Sequence, residues 1–228
     1  MEKFDYYSSG NTVTAEASVD LSRLTQLSYV YLDGFNSVTG LDKLTSDNGV
    51  IVQIMGNRKT KLDFSSISDK VIRLHLYNCI LEDGTSISKV PANVEYLTIN
   101  NCGVTDINVG NAKNLLELSL SGNELNSMSD ISGLSEKEIY ELDVSNNKIT
   151  DISAIAGFSN MYYFNASCND IETLPDLSSL DRLVGGRYTS TQKGYELNND
   201  YYRLSLAGNK LTKDACRCIN IRLNIYSL

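Results

Sequence analysis

Three stretches of this chain share one frame: LSLSGNELNSMSDISG at 118–133, LDVSNNKITDISAIAG at 142–157 and LSLAGNKLTKDA at 204–215. Apolar residues recur at fixed offsets from an asparagine, while the positions between them vary freely. A fixed frame with free positions marks a repeat array, and a repeat array admits very few architectures.

Written as L-x-x-L-x-L-x-x-N-x-L, with the first leucine as slot 1, the frame starts at Leu27, Gly49, Val71, Val94, Leu115, Ile139, Met161 and Tyr201. Successive starts lie 22, 22, 23, 21, 24, 22 and 40 residues apart. The last gap is close to two periods and places a degenerate unit near Leu180–Leu183. Slot 4 reads Val30, Val52, Leu74, Leu97, Leu118, Leu142, Phe164 and Leu204, and slot 6 is equally apolar, from Leu32 to Leu206. Polar residues dominate slots 5 and 7, so each unit carries the period-two pattern of a strand with one buried face. A single short strand cannot bury that face alone, and neighbouring copies must stack in parallel to complete it.

Slot 9 holds Phe35, Asn57, Cys79, Cys102, Asn123, Asn147, Asn169 and Asn209. It falls where the chain leaves the strand, so an amide there is expected to bond backbone groups the turn leaves unpaired. The structural ladder is therefore assigned to Asn57, Cys79, Cys102, Asn123, Asn147, Asn169 and Asn209.

These eight units resemble the leucine-rich repeat family, in its short-period bacterial, internalin-like form, over roughly residues 20–215. The resemblance implies an α/β repeat fold: a right-handed solenoid with a parallel concave β-sheet and short 3₁₀ or irregular convex segments. It also makes cysteine an ordinary occupant of slot 9. Cys79 and Cys102 are expected as two buried thiols, although Cα atoms ~5 Å apart on stacked strands also permit a disulfide.

The back half of each unit is short. Asp106, Asp130 and Asp151 precede apolar residues and are expected to cap single helical turns there. The ends must cover apolar surface. Residues 1–26 read as an N-terminal cap, with VTAEASVDL (13–21) as a capping strand. Seven units fill 27–179, a degenerate repeat with a loop fills 180–200, and the last repeat spans 201–215. Residues 216–228, with the alternating INIRLNIYSL, read as the C-terminal cap.

The chain has 228 residues and a net charge of −8. An acidic chain gains nothing from neutralising phosphates, so nucleic acids and anionic membrane surfaces are disfavoured as partners. No apolar run approaches the ~18 residues of a membrane-spanning helix. The N-terminus lacks the apolar core of a signal peptide, which suits a cytosolic chain or one whose leader was removed. Five cysteines, Cys79, Cys102, Cys168, Cys216 and Cys218, make an odd count without framework spacing and argue against a disulfide-stapled scaffold.

Slots 3, 5 and 7 face away from the core. They bring Tyr29, Tyr31, Ile51, Met55, Arg73, His75, Tyr77 and Tyr96 to the N-terminal half of the concave face. Aromatics with arginine have the composition of binding hot spots. Glu117, Glu141 and Asp143 form an acidic stripe further along, followed by Tyr163, and would favour a basic partner segment. Tyrosine also suits exposed strands for reasons of β-propensity alone.

Catalytic groups do not assemble. His75 is the only histidine, and Asp143 lies three strands from it, roughly 14 Å at ~4.8 Å per strand. Cys79 leaves the strand at the turn, which separates it from His75. Cys216-x-Cys218 has no second cluster to complete a zinc site. VGGRYTSTQKG (184–194) lacks the order of a phosphate loop and reads as a surface loop or worn repeat. Asn165-Ala-Ser167 matches a glycosylation sequon but falls on the sheet.

No catalytic residue, metal or cofactor is expected. The expected function is binding, with the concave face presented to a protein or peptide. A carbohydrate-binding module stacking sugars on Tyr29, Tyr31, Tyr77 and Tyr96 is the alternative, weakened by the absence of tryptophan. A third is the repeat region of a larger enzyme or effector. The resemblance, with the richness in Ser, Asn and Tyr, points to a bacterial cell surface or secreted location; free thiols point to a reducing compartment.

Overall fold

Apolar side chains at slots 4 and 6 turn inward in every central unit, and the chain stacks to bury them. In the structure, a computed structural model describing residues 3–6, 17–177, 179–184 and 204–212, Val30, Val52, Leu74, Leu142 and Phe164 have no exposed surface. Leu32, Leu76, Ile99, Leu120 and Val144 are buried with them as a second column. One contiguous core runs from Leu21 to Leu183.

Among the described residues nine parallel strands form the front sheet, in strict chain order. They are Lys3–Tyr6, Tyr29–Asp33, Val50–Met55, Val71–Tyr77, Tyr96–Asn100, Glu117–Ser119, Glu141–Asp143, Tyr163–Asn165 and Leu204–Ser205. The repeat thus forms the parallel concave sheet the sequence implied, with short 3₁₀ turns behind it such as Leu41–Lys43, Phe64–Ser66 and Ser153–Gly157.

The back is more ordered than expected. Ser18–Asp20, Ser37–Thr39, Lys61–Leu62 and Ile80–Leu81 pair as one parallel sheet, and Ser86–Ile87, Asp106–Asn108 and Ile131–Ser132 as another. The strand anticipated within 13–21 is therefore the edge of a back sheet at Ser18–Asp20, while Lys3–Tyr6 pairs with Tyr29–Leu32 at the edge of the front. Asp106 belongs to a back strand and caps no turn. Asp130 accepts from the amides of Asn126 at 2.7 Å and Ser127 at 2.9 Å, inside a turn that Ser127 caps. Asp151 accepts from the Ser153 amide at 2.8 Å, but it lies one residue ahead of Ile152, the position that begins the turn Ser153–Gly157 without a side-chain cap.

Two slot assignments shift in the second unit. Val50, not Gly49, takes the buried place opposite Val71, because a bulge between Val50 and Ile51 absorbs one residue. Asn57 is exposed and reaches the preceding coil through the Gly34 carbonyl at 3.3 Å, while buried Thr60 donates its hydroxyl to the Phe35 carbonyl.

From Asn123 onward the ladder is regular. Asn123 accepts from the amides of Cys102 and Val104, both at 3.1 Å, and donates to the carbonyls of Ile99 and Leu120. Asn147, Asn169 and Asn209 repeat this pattern toward Leu125, Ile149 and Ile171. Each amide thus bridges its own coil to the preceding one. Cys79 and Cys102 are buried free thiols that donate to carbonyls two residues back, Tyr77 and Asn100, at 3.4 and 3.3 Å. The Cys102 sulfur beside it, and then burial, push the Cys79 thiol far above its ordinary value, so it stays protonated.

Slot 8, to which the repeat reading gave no role, is left-handed in nearly every coil. Gly34, Asn78, Asn101, Gly122, Asn146, Cys168 and Gly208 all have φ between 54° and 77°. The chain must swing sharply there after its last ladder bond, as when the Asn146 amide donates to the Ser167 carbonyl at 2.8 Å. Only glycine and asparagine adopt this region readily, which explains the composition of the slot. Cys168 is the misfit, at φ 55°. Asn101 already sits under Gly122 in the geometry that places Cys168 under Gly208. Cys168→Asn is therefore expected to stabilise by about 1 kcal/mol, the cost of a left-handed non-glycine residue. In thermal unfolding that is a Tm higher by ~2–4 °C; an unchanged or lower Tm contradicts it.

Candidate functional site

Alternation sends slots 3 and 5 to the front of the sheet, and the register turns them into continuous rows. Tyr29, Ile51, Arg73, Tyr96, Glu117, Glu141 and Tyr163 are cross-strand partners in unbroken succession. Beside them run Tyr31, Gln53, His75, Thr98, Ser119, Asp143, Asn165 and Ser205. Tyr77 lies in a shorter third row between Met55 and Asn100. All ten proposed contact residues are half-buried on this face.

Arg73 lies over the Tyr96 ring, its guanidinium carbon 4.1 Å from the ring centre, a cation–π contact between neighbouring strands. His75 Nδ1 is 3.0 Å from the Thr98 hydroxyl. Burial, and then the charge of Arg73, lower its pKa, so the ring is neutral at neutral pH. Register puts three strand steps between His75 and Asp143, and they form no pair.

The polar residues of the second row brace one another. Asn100 accepts from the Ser119 hydroxyl at 3.0 Å and the Ser121 amide at 2.9 Å. Asp143 accepts from the Ser145 amide and from Asn165 Nδ2, at 2.9 and 3.1 Å. The amide nitrogen of the sequon residue Asn165 is thus engaged within the sheet. These bonds fix rotamers before any contact is made, which lowers the entropic cost of binding.

Glu117 is the exception. It stands opposite Glu141, and among the described residues no group donates to it and no cation pairs with it. Burial and then the neighbouring Glu141 carboxylate push it up to about 7, with Arg73 offsetting only part. A carboxyl raised in the folded state contributes stability that is complete below its unfolded pKa of about 4.5 and disappears as pH rises through about 7. Glu117→Gln is therefore expected to match the native chain near pH 5 and to exceed it by about 1–2 kcal/mol at pH 8, after discounting for solvent screening. Urea unfolding at the two pH values checks this, and equal differences at both contradict it.

Two further residues join this face that the alternation did not flag. Tyr140 and Tyr162, one position before the strands, stack with ring centres 6.2 Å apart at 22°. The Tyr162 hydroxyl donates to Glu141 at 2.6 Å. Their common place in slot 2 was visible, but nothing in a period of two says which way a residue ahead of a strand points.

The loop at 185–194, Tyr201, Arg203 and the 216–228 cap lie outside the described residues. Among the described residues no three His, Cys, Asp or Glu side chains stand close enough to hold a metal ion. None of their helices is long and apolar enough to cross a membrane.

No protein-family model matches the chain, and no curated protein does. Solved structures do. An internalin C2 (inlC2) of Listeria monocytogenes matches at TM-score 0.51 and 20% identity, over 78% of this chain and 70% of its own. An internalin (inlF) of the same species gives 0.57 at 21% identity over 87% of this chain, and a leucine-rich repeat protein of Leptospira interrogans gives 0.61 at 18% over 88%. This chain spans 59% and 48% of those two proteins, which extend beyond it. A single parallel front sheet, a slot-9 ladder and these matches agree: the chain has the leucine-rich repeat fold of the internalin type.

Proposed function

We propose that the chain is a non-catalytic binding module that holds a protein or peptide on its concave face. The observation carrying this reading is the uninterrupted row from Tyr29 to Tyr163, large half-buried side chains in register across seven hydrogen-bonded parallel strands. Aromatic and arginine side chains on a rigid support bury much area at little entropic cost. Leucine-rich repeat folds present such surfaces in general, and the partner here is set by this chain's own side chains.

The test compares affinity capture by the native chain with capture by a Tyr29/Tyr31/Tyr77/Tyr96→Ala variant of equal melting temperature. A protein held by the first and released by the second supports the reading. Equal capture by both removes the tyrosine half of the face from consideration. A glycan panel run beside it distinguishes the carbohydrate alternative.

A further inference from the structure

We infer that Cys79 and Cys102 form a two-coordinate site for a soft monovalent cation, Cu(I), held in line between their sulfurs inside the slot-9 ladder. The site lies behind the front sheet and is independent of what the concave face binds.

Register and burial bring the two sulfurs together. Tyr77 and Asn100 are cross-strand partners, and each cysteine follows its partner residue by two positions in adjacent coils. The residues are only 3% and 7% exposed, and the Cys102 side chain is within hydrogen-bonding reach of the Cys79 thiol. In later coils the same slot holds an amide that bridges two coils, as Asn123 does from the Cys102 amide to the Leu120 carbonyl. A thiol is a poor substitute in that role, because sulfur accepts hydrogen bonds weakly. It is a strong ligand for a soft metal.

The spacing suits a metal better than a disulfide. Stacked strands lie about 4.8 Å apart. Two metal–sulfur bonds of about 2.3 Å end to end span about 4.6 Å, so a cation midway meets both sulfurs while the side chains stay parallel. A disulfide requires Cβ atoms about 3.5–4.5 Å apart, closer than the strands bring them.

The number of donors selects the cation. Structural zinc takes four ligands, and among the described residues no third His, Cys, Asp or Glu joins the pair. Thiolates select Cu(I), whose filled d shell accepts two ligands in line. On binding, both thiol protons pass to solvent, two Cu–S bonds form and no electron moves. The bound unit carries one negative charge. Cys102 is prepared for it: the Cys79 side chain lowers its pKa, burial opposes that, and backbone hydrogen bonds at Cys79 and Asn78 assist. The bridge ties together the two coils that carry Arg73 and Tyr96 on the front.

The test uses the full 228-residue chain, reduced and under nitrogen, titrated with Cu(I) against bicinchoninate as competing chelator. Cys168→Ser/Cys216→Ser/Cys218→Ser leaves the pair as the only cysteines, and Cys79→Asn or Cys102→Asn is added to that background. Asparagine is what slot 9 holds at Asn123, Asn147 and Asn169, so these changes suit the ladder. The serine variant is expected to hold one Cu(I) per chain, with two sulfur neighbours by X-ray absorption. Saturating metal should raise its Tm by ~5–15 °C. Either asparagine change should weaken binding by more than about a hundredfold, the upper cost of losing an outer-shell partner alone, and abolish the rise in Tm. Loss of all copper to bicinchoninate, equal retention by the asparagine variants, or a third ligand on the metal overturns the site. If an asparagine variant fails to fold, the spectrum and Tm of the serine variant decide the matter by themselves.

Discussion

Asn147→Ala is expected to destabilise the protein by about 3–4 kcal/mol, among the largest effects of any single polar substitution. The Asn147 amide accepts from the Leu125 backbone at 3.0 Å and donates to the carbonyls of Leu120, Val144 and Ser145 at 2.9–3.0 Å. Leu120 and Val144 keep a second donor, from Asn123 and Asn169, so those carbonyls are not orphaned. The Leu125 N–H is: it belongs to a residue with no exposed surface, and alanine offers it nothing. An orphaned buried donor costs about 1–3 kcal/mol, and the lost bonds add the remainder. Asn57→Ala provides the contrast, because Asn57 is exposed, its one bond to the previous coil is a solvent-exposed donation to the Gly34 carbonyl at 3.3 Å, and buried Thr60 also bonds that coil. It should cost less than about 1 kcal/mol. Urea unfolding of the two variants side by side decides the matter, and equal losses contradict the ladder as drawn.

Gly133→Ala is expected to cost about 3 kcal/mol for an unrelated reason. At φ 74° the residue is left-handed, and an added Cβ would lie 2.5 Å from Gly110 Cα and 2.6 Å from Gly110 N, both backbone atoms of the preceding coil. A left-handed alanine accounts for about 1 kcal/mol, and forcing the coils apart for about 1–3 more. Gly110→Ala points its Cβ elsewhere, at 3.0 Å from the movable Asn108 side chain and 4.0 Å from Gly133, so it should be far milder. A two-glycine contact is thus one-sided: one partner needs its hydrogen and the other does not. Thermal unfolding of both variants reads the asymmetry directly, and comparable losses at the two sites contradict it.

The front of this molecule was legible in its sequence because burial leaves few substitutes for Val, Leu, Ile and Phe at slots 4 and 6. The back was not. Strands as short as Lys61–Leu62 and Ile80–Leu81 are too brief to carry a period and exist because adjacent coils align them. Asn57 and Gly49 matched the frame by count, yet a bulge at Val50 and a swung-out turn moved the buried roles to Thr60 and Val50. For the site, alternation placed Tyr29, Arg73, Glu117 and Tyr163 in one row, but only register shows Arg73 spent on Tyr96 and Glu117 facing Glu141. Electrostatic character depends on neighbours one coil away, some 22 residues distant in sequence, and no local pattern encodes it.

Coil starts spaced from 21 to 24 residues apart nevertheless leave the front rows in register, because the surplus is taken up behind the sheet. Length and specificity are thereby separate heritable traits. A coil can be duplicated, or its rear arc lengthened, without displacing a single outward side chain, and an outward side chain can drift without disturbing the ladder that holds the stack. Lineages carrying such a chain can explore new partners by point changes on the front while insertions accumulate harmlessly at the rear.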